Sequence, residues 1–266
     1  MSLADLTFDE WRSFDLPTAR RVAQQAADLV DGRVVAVEPV EHLGAPMHRV
    51  RIERNAQEFA LVPGGTLILG FDLDSYQPSA EQAADYQESL EQGFGFGPDL
   101  RAHLARLLSP RRRVALASVL MAVEDENLTD PPADMPAALA ARGLRMPNAD
   151  EWEHACGAGA STLFRWGDDC PLDRTPYGAP DGPHHQPNAL GLHIAYDTYR
   201  TELTSDVTAV HGGDGGESEC GGYGNLLGWL PLATANRNPF LATEFVYAPD
   251  GEDMYEDFST RPVLAL

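Results

Sequence analysis

Gly143-Leu-Arg-Met-Pro-Asn-Ala-Asp-Glu-Trp-Glu-His-Ala-Cys156 is the stretch from which the fold is read. Asn148 stands three residues before Glu151. An Asn side chain accepts from the backbone N–H three residues on, and a glutamate there reaches back to the cap, so the pair predicts a helix start. Gly157 predicts its stop. Glu151 and Glu153 place carboxylates where the helix dipole favours negative charge. Trp152 between them is expected in the core.

Upstream, Leu16, Ala19, Val22, Ala23, Ala26, Leu29 and Val30 recur at helical spacing behind Pro17 and stop at Gly32. Val34–Val37 and the alternating Met47–Ile52 read as strands. Phe59–Gly65 and Thr66–Gly70 read as two short strands broken by a Pro-Gly-Gly turn. Ser79 with Gln82 predicts a capped helix closed by Gly93, and Asp99 opens another carrying Leu100, Leu104 and Leu107. Val114–Val123 reads as one extended run, and Pro136–Arg142 as a short helix ending at Gly143. Beyond Gly157 regular periodicity fades into Gly, Pro, Asp and Asn, predicting a loop-dominated half.

The 266 residues carry 41 acidic and 19 basic side chains, a net charge of −22. Such a surface repels a phosphate backbone and an anionic membrane, so neither is an expected partner. Every basic residue is Arg and none is Lys. That excludes Schiff-base chemistry, pyridoxal phosphate anchoring and a P-loop, all of which need a lysine. Met1–Glu10 is polar and acidic, unlike a signal peptide, and no apolar stretch is long enough to span a bilayer, so a cytoplasmic protein is expected. Cys156, Cys170 and Cys220 form neither a disulfide framework nor a CxxC pair. No Ser-His-Asp or Gly-x-Ser-x-Gly arrangement supports a hydrolase.

Gly143–Cys156 followed by Phe164-Arg-Trp-Gly-Asp168 resembles the signature of formylglycine-generating enzymes, or sulfatase-modifying factors, which reads G-x-R-L-P-T-x-x-E-W-E-x-A and then P-W-G-[DN]. Four further segments fall in that family's order. Phe59–Gly70 is similar to F-x-x-I-P-G-G-x-F-x-M-G, and Val114–Thr129 to V-x-L-x-x-F-x-I-x-x-x-E-V-T. Asn188-Ala-Leu-Gly-Leu192 with Glu202-Leu-Thr-Ser-Asp206 is similar to N-x-F-G-L…W-E-W-T-S-D. Arg261-Pro-Val-Leu264 resembles the closing G-F-R-x-V. The resemblance implies an α+β fold, the loop-rich C-type-lectin-like variant with short mixed sheets and few helices. It implies one such domain over residues 58–266, with residues 1–57 as a helix-plus-strands extension packed on it.

The same resemblance locates departures. The family's oxidases hold copper between two cysteines a few residues apart, just after R-G-G-S-[WY], and thiolates suit Cu(I) because both are soft. Here the corresponding stretch is His211-Gly-Gly-Asp-Gly-Gly-Glu-Ser-Glu-Cys-Gly-Gly-Tyr223, with Cys220 alone and Glu217 and Glu219 where the other thiol would stand. Of the family's calcium-binding G-N-V…W-E-W only Glu202 remains. The acidic loops at Asp168, Asp169, Asp173 and Asp181 offer oxygen ligands to a hard cation, or a solvated face. The iron-dependent sulfoxide synthases of the superfamily carry H-x-x-x-H-x-E, which this chain lacks.

Among the residues themselves, His184, His185 and His193 with His211 form the densest imidazole grouping, near Glu202, Glu217 and Glu219 in sequence. Two or three His with a carboxylate suit non-haem iron or zinc, whereas Pro183–Pro187 reads equally as an exposed loop. His211 suits either ligation or a buried hydrogen-bonded role. Cys220 lies among six glycines from Gly212 to Gly222, which lets backbone approach a ligand. Arg111–Arg113 reads as a solvated sheet edge.

Three functions are carried forward. The first is a divergent family member without the two-cysteine copper site, acting as a binding or accessory module for a small molecule or peptide. The second is an oxygen-using oxidoreductase with a rebuilt copper or iron site from Cys220, His211, Glu217, Glu219, His193 and Glu202, acting on a peptide or small molecule. The third is an orthodox formylglycine generator acting on a sulfatase cysteine.

Overall fold

The computed structural model describes residues 2–129, 131–246 and 258–266. In chain order these form α1 (Phe8–Ser13), α2 (Leu16–Leu29), β1 (Arg33–His42), β2 (Ala45–Arg54), β3 (Gln57–Val62) and β4 (Gly65–Leu69). There follow α3 (Ala80–Glu91), α4 (Leu100–Leu107), β5 (Arg112–Leu116), β6 (Val119–Ala122), β7 (Glu126–Asn127), α5 (Met135–Ala141) and α6 (Ala149–Gly157). The last third holds β8 (Thr201–Leu203), α7 (Glu217–Cys220), α8 (Asn225–Trp229), α9 (Pro239–Leu241), β9 (Phe258–Thr260) and β10 (Val263–Ala265). The architecture is α+β, with short sheets and long connections.

The helix starts follow their caps. At α6, Asn148 Oδ1 accepts from Glu151 N at 2.8 Å and Glu151 Oε2 accepts from Asn148 N at 2.9 Å. Ser79 and Gln82 make the same reciprocal pair at α3, and the Asp99 side chain caps α4. Thr7 and Glu10 repeat the device at α1, a helix the sequence reading did not place.

Five antiparallel strands, in the order β1-β2-β3-β6-β10, form the main sheet. Its centre is β3 and β6, where Phe59–Val62 and Val119–Ala122 are buried throughout. Residues 1–57 supply β1, β2 and the first residue of β3 to this sheet, so the expected boundary at 57/58 falls within β3, one residue past its turn from β2, with Arg51 opposite Ala60. The run Val114–Val123 is not one strand. It breaks at Ser118, sending β5 to pair with β4 and β6 into the main sheet. The Ser118 hydroxyl donates to Leu6 O at 2.5 Å and accepts from Gly64 N at 2.9 Å, pinning the N-terminal segment at the break. Gly64 has no alternative there, because a Cβ would run into the Leu116 carbonyl.

A third sheet is mixed, in the order β7-β9-β8, with β8 parallel to β9. From Asp168 to Arg200 the chain holds only a single 3-10 turn, Pro183–His185, matching the expected loop-dominated half. Trp11, Trp152 and Trp229 are fully buried and each indole N–H reaches an acceptor. Among the described residues no helix is long and apolar enough to cross a membrane.

Candidate functional site

The residues that carry the resemblance are mostly braces. Trp152 projects from α6 into the core and donates its indole N–H to Glu202 Oε2 at 2.8 Å. Arg261 grips the same carboxylate at 2.7 and 3.0 Å and donates to the carbonyls of Ala122, Val123 and His193. One buried guanidinium therefore ties β6, β8 and the segment before β10 to the tryptophan helix. Burial pushes the Glu202 carboxyl up while the Arg261 charge pulls it down. Asn188 works similarly on the other side. Its amide donates to the Ala155 and Cys156 carbonyls near the end of α6, and its oxygen accepts from Leu190 N and Leu192 N.

The six residues singled out for metal binding or catalysis are not gathered at one point. Glu202 is committed to Arg261 and Trp152. His211 is fully buried, stacks on Trp152 at 4.9 Å, and shares its Nδ1 with Asn236 O at 3.0 Å. Since a carbonyl only accepts, Nδ1 carries the proton and Nε2 is a lone-pair nitrogen, buried and without a partner among the described residues. Burial drives the His211 pKa down to about 4. His193 is partly exposed and pairs with Glu124 at 2.6 Å. Glu217 accepts from the Tyr223 hydroxyl at 2.8 Å, and Glu219 accepts from the Thr175 hydroxyl.

Cys220 is exposed and lies 3.3 Å from the Tyr199 hydroxyl. The other thiols occupy different surroundings. Cys156 is buried in α6 among Arg165, Glu202, Arg261 and Glu153, and Cys170 sits near Asp85 and Asp169. Burial pushes both up to about 12. Copper by the two-thiolate scheme therefore does not fit these residues. No group of three or more His, Cys, Asp or Glu able to hold a metal ion occurs among the described residues. In the acidic loop Asp168 accepts from Leu163 N and Asp173 pairs with Arg174, so both are already engaged. The Pro183–Pro187 loop also departs from a wholly exposed reading: of its two histidines His184 is buried against Trp229, and only His185 faces water.

The stretch His211–Tyr223 nonetheless borders a cavity of about 740 Å³. Asp214, Glu217, Ser218 and Tyr223 form one wall, and Phe94, Phe96, Arg106 and Phe240 face them from elsewhere in the chain. Phe94 stacks on Tyr223 at 4.5 Å, and the Arg106 guanidinium lies 5.2 Å over the Phe96 ring. Asp214 is buried and accepts from Gly216 N, Ser218 N and the Ser218 hydroxyl. Burial raises its carboxyl above the usual carboxylate range. Gly93, Gly95 and Gly97 all have positive φ, which folds Gly93-Phe-Gly-Phe-Gly97 into a loop presenting both rings. The sequence reading passed over this loop, although its alternation of glycine and phenylalanine was the available signal.

Aromatic walls with a few convergent polar groups suit an organic ligand, not redox chemistry by thiolates. Compared with known proteins, the sequence matches no family model and no curated protein.

Proposed function

We propose that this chain is a divergent relative of the formylglycine-generating enzymes with a C-type-lectin-like body, working as a binding or accessory module. The stretch corresponding to the oxidases' copper-holding segment forms the wall of a cavity for a small molecule or peptide. One observation carries this reading. Asp214, Glu217, Ser218 and Tyr223 of that stretch line the 740 Å³ cavity, whereas Cys220, on the same short helix as Glu217 and Ser218, is not among the lining residues and pairs with Tyr199. The five ordered sequence segments and the loop-rich second half support the kinship.

The test is metal analysis of protein purified without chelator, alongside oxygen uptake with a Cys-x-Pro-x-Arg peptide. The reading expects no stoichiometric copper and no conversion. It also expects a panel of small molecules and peptides to contain ligands whose binding weakens in Phe94→Ala and Tyr223→Ala. About one equivalent of copper lost in Cys220→Ala, or oxidation of the peptide, would restore the orthodox oxidase in its place.

A further inference from the structure

Two guanidiniums withdrawn from water face carboxylates: the half-buried Arg112 meets Asp150 and Glu153, and the buried Arg261 meets Glu202. Arg49 and Arg165 do not. Among the described residues neither has a carboxylate within ion-pair distance, in a chain with 41 acidic side chains; Glu38 acts on Arg49 only from further away. Arg165 is 8% exposed. Its Nη2 donates to His184 O at 2.6 Å and Gln186 O at 2.7 Å, its guanidinium lies 5.4 Å over Trp166, and among the described residues its Nε has no partner. Arg49, on β2, donates from Nη2 to Asn188 O at 2.8 Å and likewise leaves Nε unpartnered.

Both side chains line one cavity of about 270 Å³, together with His42, Trp166, Gln186 and Asn188; its one lining carboxylate, Glu41, is exposed and makes an ion pair with neither arginine among the described residues. The backbone is shaped to hold Arg49 there. Gly191 has φ +94°, and a Cβ on it would fall 2.8 Å from Arg49 Cγ and Cδ, so only glycine lets the arginine stem lie across this loop. Carbonyl dipoles offset part of a guanidinium's lost hydration but do not neutralise its charge. Burial accordingly lowers the pKa of both arginines. An oxyanion held by the two guanidiniums would supply a partner charge and accept from their Nη1 groups, unbonded among the described residues, since both Nε atoms are sealed from the cavity.

We propose that the Arg49–Arg165 cavity is a binding site for a small oxyanion, the carboxylate or phosphate group of a small molecule. It is lined by none of the residues of the 740 Å³ cavity, so it stands or falls independently of the function proposed above.

The experiment titrates the full chain with inorganic phosphate and with acetate at fixed ionic strength, chloride replacing the anion in the control, and follows thermal stability and tryptophan fluorescence. Fixed ionic strength is needed because the −22 net charge repels anions through a salt-dependent field. The site expects a saturable response to phosphate or acetate beyond the chloride control. Arg49→Gln, whose side chain is only partly buried, should weaken that response about tenfold or more, as loss of a charge-assisted contact does. Arg51→Gln, two residues along the same strand but paired with Glu58, should leave it unchanged. No saturable response to either anion, or an unaltered response in Arg49→Gln, would overturn the assignment.

Discussion

Arg261 and Glu202 form a two-point ion pair, at 2.7 and 3.0 Å, in which both partners are almost wholly withdrawn from water. The pair sits beneath the Trp152 indole and joins three stretches distant in sequence. Removing Glu202 leaves the buried Arg261 charge with only the longer contact to Asp125, at 3.8 Å, and stranding most of a buried charge's compensation costs far more than the pair contributes net. Glu202→Ala is therefore expected to lower unfolding free energy by about 3–5 kcal/mol. Glu202→Gln, which keeps an acceptor for Trp152, should cost less. Denaturant midpoints measure both. If Glu202→Ala lost less than about 1 kcal/mol, the pair would not be the brace described here.

Acid sensitivity should come from histidines before carboxylates. Burial lowers the pKa of His211, His103 and His184 to about 4 each. In the unfolded chain a histidine titrates near 6.5, so between about 6.5 and 4 the unfolded state binds protons the folded state refuses. Stability is complete above the unfolded pKa and falls as pH drops through that window. Each histidine contributes up to about 1.4 kcal/mol per pH unit. Denaturation midpoints between pH 7 and 4.5 should decline steadily, and His211→Asn should reduce the slope. A flat profile over that range would contradict the burial of these rings.

What was legible in the sequence was local. Asn148 with Glu151, Ser79 with Gln82, and Asp99 are short-range hydrogen-bond devices, and each places its helix where the side chains say. Thr7 with Glu10 carried the same signal and was passed over inside a stretch read only for its polarity. The run Val114–Val123 looked continuous because apolar residues do not record which sheet they join. The break is set by Ser118 bonding Leu6, more than a hundred positions away. The cavity has the same character. It joins Gly93–Gly97 to Asp214–Tyr223 and Phe240, and no periodicity links those segments. Likewise His211 beside Glu217 and Glu219 in sequence suggested a ligand set, while the fold buries the imidazole on Trp152, leaves Glu217 exposed and half-buries Glu219 against Thr175.

Asn188 offers a sharp test of why the Asn-Ala-Leu-Gly-Leu segment reads as it does. Its amide and carbonyl groups serve four backbone partners at once, at Ala155, Cys156, Leu190 and Leu192. Asn188→Ala removes these four hydrogen bonds at about 0.5–1 kcal/mol net each, so a loss of about 2–4 kcal/mol is expected. Asn188→Asp should be no rescue, because a carboxylate accepts from Leu190 and Leu192 but cannot donate to two carbonyls. Equal stability of the Asp variant and the parent chain would show that the two carbonyl contacts carry nothing.

The three cysteines should separate cleanly by reactivity. Cys220 is exposed beside Tyr199, whereas Cys156 and Cys170 are held protonated by burial, both pushed up to about 12. Only a thiolate attacks a disulfide reagent, and access compounds the difference. One thiol per chain should therefore react promptly with an aromatic disulfide at neutral pH, and the other two only with denaturant present. Cys220→Ala should abolish the prompt phase with little change in stability, since the side chain packs against nothing in the core. Adding copper(I) before the reagent separates this arrangement from an oxidase site. A lone exposed thiol gives at most weak protection, easily reversed by a competing chelator. A thiolate pair would hold the metal firmly and hide two sulfurs at once. Prompt reaction of two thiols, or tight copper protection of two, would place a second cysteine beside Cys220 and undo the separation on which the binding-module reading rests.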